Sequence, residues 1–108
     1  MFNRMKRKSQ PNLDSAASQL AETFKLLGDQ TRLRILLACM GKSQSVSAIA
    51  ETLNLSAPLV SHHLRLLRAV RMVNADRQGK QVFYTLMDDH VRCVLNDMLH
   101  HLSEPHED

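Results

Sequence analysis

Two short amphipathic helices joined by a tight turn are predicted between residues 45 and 68. The first covers residues 47–53, and Asn54 after it tolerates the left-handed conformation that a helix C-terminus often needs. Ser56 can cap a second helix, with Pro58 in its first turn, where a missing N–H costs little. Such a pair is typical of helix-turn-helix domains, whose second helix enters the major groove of DNA.

The second helix has an outer face without acidic residues, as a helix that reads the major groove requires. Its inward positions are Leu59, Val60, Leu64 and Leu67. Its outer positions are Ala57, Ser61, His62, Arg65 and Arg68. Together with Ser56 at the cap, these outer residues are predicted to contact DNA. Neighbours on a helix point in different directions, so His62 and His63 are interpreted as one DNA-facing and one structural residue.

Two further helices are predicted before this pair. Apolar residues at helical spacing indicate a first helix that Asp14 or Ser15 caps and Gly28 ends. Asp29 can cap the next helix, which covers residues 31 to about 40. Both helices lie on the N-terminal side of the helix-turn-helix.

Two strands are predicted after the second helix of the pair, at residues 72–75 and 81–86. A polar, basic tip at residues 77–80 joins them as a hairpin. Arg77 and Lys80 in this tip are predicted to meet the DNA backbone beside the reading helix. The expected fold is therefore mainly α with a small β-hairpin, a winged helix-turn-helix.

The predicted last helix, from residue 88 to about residue 103, carries four residues of the types that bind metal ions. These candidate ligands are Asp88, His90, His101 and Glu104. On a helix, His101 and Glu104 share a face because they are three residues apart. His90 and His101 are eleven residues apart, about 16 Å along a helix axis, whereas two ligands of one zinc ion must lie within about 4 Å. One chain therefore cannot close the site.

An antiparallel partner helix would complete the ligand set. Eleven residues rotate a helix by about 1100°, only about 20° from whole turns, so both ends point the same way. The His101 end of one chain would then meet the His90 end of the other, which predicts a homodimer with two symmetric metal sites. Two imidazoles and two carboxylates without a thiolate suit zinc, with cobalt or nickel as alternatives.

Length, charge and composition limit the domain organisation, the partners and the class of protein that can be expected. The 108 residues allow one domain at residues 15–104, with a flexible basic arm at residues 1–14 and a tail at residues 105–108. The formal net charge of +3 favours a polyanionic partner moderately. No apolar run of membrane-spanning length and no secretory signal is present, which predicts a cytoplasmic protein without membrane contact. No nucleophile–base pair or phosphate-binding glycine loop appears, so an enzyme is not expected.

Several stretches resemble the ArsR–SmtB family of bacterial winged-helix metal sensors, over roughly residues 17–104. Residues 24–36 (FKLLGDQTRLRIL) look like that family's opening, residues 55–67 (LSAPLVSHHLRLL) like its reading helix, and residues 77–84 (RQGKQVFY) like its wing. The four candidate ligands resemble the pattern of the zinc-sensing branch. The resemblance implies a homodimer that represses metal-efflux or metal-sequestration genes and leaves its palindromic operator when zinc binds.

This chain lacks the cysteine patterns that are typical of two other branches of the family. The branch that senses arsenic, cadmium and lead carries a Cys-x-Cys phrase where residues 45–47 of this chain read Ser-Val-Ser, so a thiolate site is not expected there. The persulfide-sensing branch has cysteines at positions that look like Leu37 and Ser103 here, so Cys39 and Cys93 do not fit it. Two alternatives remain: a repressor of the same fold that senses redox or sulfur species through Cys39 and Cys93, and a non-sensing DNA-binding module.

Overall fold

Five helices and three short strands follow one another in residues 12–105, the part of the chain that the computed structural model describes. They are α1 (Leu13–Leu27), α2 (Gln30–Ala38), β1 (Gln44–Ser45), α3 (Val46–Leu53), α4 (Ala57–Ala69), β2 (Val73–Gln78), β3 (Gln81–Leu86) and α5 (Asp89–Ser103). Most of the predicted arm and tail lies outside the described residues. Each helix in residues 12–105 is too short or too polar to traverse a lipid bilayer.

Side-chain caps set where the first two helices begin. The Oδ1 atom of Asn12 accepts a hydrogen bond from the backbone N–H of Ser15 at 2.8 Å, so α1 begins at Leu13. The prediction that Asp14 or Ser15 caps this helix is therefore wrong. The sequence alone does not single out Asn12, because Asp14 and Ser15 are equally good caps by residue type. Only the backbone geometry shows which of the three residues caps the helix. Asp29 caps α2 as predicted.

The helix-turn-helix pair forms as predicted, although its first helix begins one residue earlier. Ser45 caps α3 by accepting the backbone N–H of Ala48 at 3.1 Å, and Ser56 caps α4 by accepting that of Leu59 at 3.3 Å. Asn54 between the helices is left-handed, with φ 58° and ψ 50°. These local signals fix the turn because one of the orphan N–H groups at each helix start has a side-chain acceptor close by in sequence.

The sheet contains one strand more than the predicted hairpin. The two-residue strand β1 pairs antiparallel with β3, with Ser45 opposite Phe83, and the strand order is β1-β3-β2. Two residues are too few to show a period in sequence, so β1 was not predictable. Strand β2 extends to Gln78, which leaves only Gly79 and Lys80 as the hairpin tip. Gly79 has a φ of +65°, a conformation that tight hairpin turns often assign to glycine.

The core lies between α2, α3, α4 and the sheet. Its buried apolar residues are Ile35, Leu36, Cys39, Ile49, Ala50, Val60, Leu64, Leu67, Val73, Tyr84 and Leu86. The prediction that Leu59 points inward is wrong, because its side chain is 39% exposed. The buried stripe of α4 instead begins at Val60 and continues at positions three, four and seven residues later, which brings His63 into the interior.

The helices α1 and α5 carry apolar side chains that a single chain leaves exposed. These are Leu13, Leu20 and Phe24 on α1, and Val94, Met98, Leu99 and Leu102 on α5. Leu20, Phe24 and Val94 line an apolar groove of about 230 Å³ between the two helices, and His90 lies at this groove as well. An exposed apolar groove of this kind on a small domain usually marks an interaction site.

The left-handed turn predicts a stability effect that depends on backbone conformation alone. Replacing Asn54 by alanine should lower the free energy of unfolding by about 1 kcal/mol, because a Cβ without a local polar group is disfavoured at positive φ. Replacing Asn54 by glycine should cost little, since glycine adopts this conformation freely. Urea unfolding at one protein concentration measures both, and equal stability of the two variants would contradict the assignment.

Candidate DNA interface and metal centre

The outer face of α4 presents the residues that the sequence predicts for DNA contact. On α4 and its cap these are Ser56, Ala57, Ser61, His62, Arg65 and Arg68, and on the hairpin they are Arg77 and Lys80. All of them are exposed except Ser61, which is half-buried. The two arginines of α4 lie beyond its buried stripe, so they can reach a ligand without disturbing the core.

A groove of about 320 Å³ separates the start of α4 from the hairpin. Ala57 and Ser61 line it from α4, and Lys80 lines it from the hairpin tip. No acidic residue of the described chain lines this groove. The fold therefore brings candidate DNA contacts that are about twenty residues apart in sequence to one groove that no acidic residue of the described chain lines.

The cations of this surface are not neutralised within residues 12–105. They are Arg65, Arg68, Arg77 and Lys80, and the ion pairs found in the described residues involve neither α4 nor the hairpin. The guanidinium of Arg65 donates instead to Ser61 Oγ at 3.2 Å. Unpaired cations of this kind can replace the counterions of DNA phosphates.

His63 links the interior side of α4 to α2. Its Nδ1 atom accepts a hydrogen bond from Arg32 Nε at 3.1 Å, and Arg32 Nη1 also donates to the carbonyl oxygen of Leu26 at 2.8 Å. The arginine thereby joins the ends of α1 and α2 to the reading helix. The expectation that one of the two neighbouring histidines is structural agrees with this arrangement, because His62 is exposed. The partner Arg32 was missed, since nothing in sequence shows a contact across thirty-one positions.

The surroundings of His63 disfavour its charged form. Burial lowers the pKa of its imidazole and the positive charge of Arg32 lowers it further, while the nearby carboxylate of Asp29 partly opposes them. The hydrogen bond from Arg32 requires a lone pair on Nδ1, so the proton of the neutral ring is assigned to Nε2. The neutral imidazole is thus the form that fits the folded chain.

One pair of candidate metal ligands lies at the start of α5. Asp88 is the N-cap of this helix, and its Oδ1 accepts the backbone N–H of Val91 at 3.0 Å. The other carboxylate oxygen lies 3.7 Å from Nδ1 of His90, whose side chain is 96% exposed. The hydrogen bond from Val91 is the main cause that lowers the pKa of Asp88. Asp88 therefore serves as a cap and still presents one oxygen of an ionised carboxylate beside His90.

The second pair of candidate ligands lies at the end of α5. His101 is in the last turn, whereas Glu104 follows the helix in an extended conformation, with φ −70° and ψ 145°. The prediction that both residues share a helical face is wrong for Glu104, because the helix ends at Ser103. Pro105 disfavours the α conformation at the residue before it, which accounts for the extended backbone.

The two pairs stay apart within one chain. Helix α5 is unbroken from Asp89 to Ser103, and no cluster of three metal-binding side chains forms in residues 12–105 of a single chain. Each pair of candidate ligands consists of one imidazole and one carboxylate. This donor set is appropriate for a borderline divalent cation such as zinc, but four ligands are available only if two chains contribute.

The two cysteines differ in accessibility. Cys39 is completely buried in the core, and burial raises the pKa of its thiol to about 11. A thiol with such a pKa stays protonated at neutral pH and is a poor nucleophile. Cys93 is exposed on α5. The redox alternative requires both thiols. In the described residues only the thiol of Cys93 is accessible, because Cys39 is buried.

Comparison with known proteins gives matches over most of the chain. The family described as bacterial regulatory protein, arsR family, matches residues 29–75. The transcriptional repressor SmtB homolog of Synechocystis sp. is 38% identical over 100 residues, which cover 91% of this chain and 76% of that protein. The cadmium resistance transcriptional regulatory protein CadC homolog of Staphylococcus aureus is 34% identical over 87 residues, 79% of this chain and 71% of that protein.

A solved structure extends the similarity to three dimensions. The solution structure of apo-NmtR is 34% identical and has a TM-score of 0.79, and the alignment covers 99% of this chain and 87% of that one. The predicted winged helix-turn-helix fold is confirmed. The two relatives are named as transcriptional regulators, in agreement with the prediction that this chain is not an enzyme.

The environment of His63 predicts how stability depends on pH. An unfolded histidine has a pKa near 6.5, and the folded pKa is lower, so the unfolded chain binds the proton more readily. The free energy of unfolding should therefore fall as the pH drops below about 6.5, and this loss should be smaller in a His63→Gln variant, whose amide oxygen can still accept from Arg32.

Urea unfolding of the metal-free protein at about pH 7.5 and about pH 5.5 measures this difference. The lowered pKa values of Asp29 and Asp88 act near and below their ordinary value of 3.8, outside this range. An equal loss of stability in the wild type and in His63→Gln would show that His63 is not the group responsible.

Proposed function

Because this chain belongs to the ArsR family of bacterial regulatory proteins, we propose that it is a metal-responsive transcriptional repressor that acts as a homodimer in the cytoplasm. It binds a palindromic operator when metal-free and leaves it when zinc, or a similar divalent ion, binds between the α5 helices of the two chains. The observation that carries this proposal is the division of four metal-type ligands between the two ends of one continuous helix.

The unpaired cations on α4 and the hairpin support operator binding. The helix α4 supplies residues that reach base edges, Ser61 and His62 among them, and Lys80 supplies a phosphate contact beside them. A dimer presents two copies of this surface. Two reading helices related by twofold symmetry match a palindromic sequence whose half-sites lie one or more helical turns apart.

The exposed apolar side chains of α1 and α5 support homodimerisation. A second copy of the chain offers the same apolar surface, so a twofold arrangement covers both copies at once. The end of α5 that carries His90 lies at the apolar groove between these helices. A partner seated there would bring its own α5 close to the ligands of the first chain.

The chemistry of the ligands supports zinc as the regulatory ion. Asp88 and His90 of one chain would hold it together with His101 and Glu104 of the partner, and the ion would supply a bond between two helices that are otherwise in apolar contact. The CadC homolog carries cadmium in its name, but the Ser-Val-Ser sequence at residues 45–47 offers no thiolate for such a soft ion.

Regulation requires that the two forms of the dimer differ in zinc affinity. A ligand shifts an equilibrium only by its differential affinity, so the operator-binding form must hold the ligand pairs in a less favourable arrangement for zinc. This coupling is reciprocal. If zinc weakens operator binding by a given factor, the bound operator weakens zinc binding by the same factor. A coupling of about 2 kcal/mol would change operator affinity by about thirtyfold.

A mixture of two ligand variants tests the site between chains. The His90→Ala homodimer and the His101→Ala homodimer each lack both complete sites, so the absorption of tetrahedral cobalt should be near background in each. Subunit exchange should produce a heterodimer with one intact site, because the intact His90 end of one chain meets the intact His101 end of the other. The cobalt absorption should then return.

Two controls make this mixing experiment decisive. Each variant must still bind the operator when metal-free, which shows that the fold is intact, and subunit exchange must be verified with differently tagged chains. If exchange occurs and the cobalt absorption stays at background, the assignment of the metal site to two chains is wrong. A non-sensing module would in addition bind the operator equally well with and without zinc in the wild type.

A charge-matched pair of variants tests the DNA surface. Lys80→Ala should weaken binding to specific and nonspecific duplexes and reduce the slope of log affinity against log salt by about 1.8, because the dimer loses two phosphate contacts, one from each chain. Lys25→Ala removes the same charge from exposed α1 and should leave the slope unchanged. Ser61→Ala should weaken specific binding more than nonspecific binding. Equal salt slopes for the two lysine variants would contradict the assignment of the hairpin.

A further inference from the structure

Helix α5 is joined to the rest of the described chain by apolar packing and by one side-chain hydrogen bond. Val91 and Leu95 are partly buried against the core. The guanidinium of Arg92 donates through Nη1 to the backbone carbonyl oxygen of Met40. Among residues 12–105, no other side-chain hydrogen bond connects α5 to a part of the chain outside this helix and its caps.

The two ends of this hydrogen bond lie in the two functional halves of the chain. Arg92 is in the first turn of α5, where its backbone N–H bonds the carbonyl oxygen of Asp88 at 3.3 Å. Its Nε also lies 3.9 Å from the carboxylate of Asp89. Met40 follows the end of α2, shortly before Ser45 caps the first helix of the helix-turn-helix. The bond therefore connects the turn that holds one ligand pair to the DNA-binding half.

Helix α2 continues this connection to the reading helix. Arg92 contacts the chain just beyond the C-terminal end of α2, and Arg32 near the N-terminal end of the same helix donates to His63 of α4. An α-helix of nine residues is short and stiff, so a displacement at one end is passed to the other. The position of α5 relative to α2 thereby influences the position of α4.

We propose that Arg92 is a positioning residue, a latch that holds the first turn of α5 in the operator-binding arrangement and that zinc binding must release. This inference rests on the proposed function. It assigns the hydrogen bond between Arg92 and Met40 to the operator-binding form of the dimer and its loss to the zinc-bound form. Removing the latch should favour the zinc-bound form, so the variant chain should bind zinc more tightly.

The choice of Arg92 follows from the directionality of hydrogen bonds. A shift of α5 by about 2 Å, the size of many regulatory helix movements, moves the guanidinium of Arg92 out of hydrogen-bonding range of the carbonyl oxygen. The apolar contacts of Val91 and Leu95 have no such directional requirement and tolerate the same shift. The side chain of Arg92 is only 37% exposed, so water replaces its lost partner incompletely.

The test compares three variants with the wild type. Arg92→Met keeps an unbranched side chain of similar length without the donor, and Arg92→Lys keeps a shorter donor. Arg34→Met is the matched control, because Arg34 Nη2 also donates to a backbone carbonyl oxygen, that of Leu53, at 3.2 Å, but joins α2 to α3. All four proteins are titrated with zinc against a chromophoric chelator, without DNA.

The same proteins are then titrated with zinc on a duplex selected from random sequences for binding to the metal-free wild type. For Arg92→Met, zinc affinity without DNA should rise about tenfold, and the zinc concentration for half-release should fall by the same factor. Arg92→Lys should give a smaller shift in the same direction. Arg34→Met should stay within about twofold of the wild type, because the hydrogen bond that it removes does not involve α5.

The sign of the change separates the latch from a merely structural role. Damage to the fold would weaken zinc binding, which is the opposite of the expected result, and a folded Arg92→Lys keeps the test valid if Arg92→Met does not fold. Unchanged or weaker zinc binding in the folded Arg92 variants overturns the inference, while zinc-driven release of the wild type leaves the proposed function standing. A wild type that zinc does not release overturns both.

Discussion

The packing of α4 into the core is the constraint on which the rest of the structure depends. Val60, Leu64 and Leu67 are completely buried on one side of this helix, while Arg65 and Arg68 project from the opposite side. The same thirteen residues therefore stabilise the domain and present its DNA surface. Because the buried stripe fixes the rotation of α4 about its axis, a change in core packing would also turn the reading face.

Two surfaces of the domain carry different chemistry. The α4 helix and the hairpin tip present cations without acidic partners in the described residues, whereas α5 begins with the carboxylates of Asp88 and Asp89. A polyanion and a divalent cation are thus attracted to separate surfaces. In the proposed regulation, zinc would not compete with DNA for the same residues, so its effect on operator binding would have to pass through a change in shape.

Arginine side chains connect these surfaces through backbone carbonyl groups and a buried imidazole. Arg32 holds α1, α2 and α4 together, and Arg92 holds α5 to the end of α2. Guanidinium groups suit this task because they offer several donors in a fixed plane and remain charged at any physiological pH. Apolar packing supplies most of the stability, while these directional bonds specify how the helices are arranged.

The sequence by itself determined the elements whose signals are local: the left-handed Asn54, the caps Asp29 and Ser56, and the basic hairpin. It also determined that one α5 helix cannot close a four-ligand site, since helical rise alone separates the two pairs. Tertiary structure decided the third strand, the burial of His63 instead of Leu59, and the contacts of Arg32 and Arg92. Those features depend on which distant residues the fold brings together, and a single sequence holds no periodicity or spacing that records such contacts.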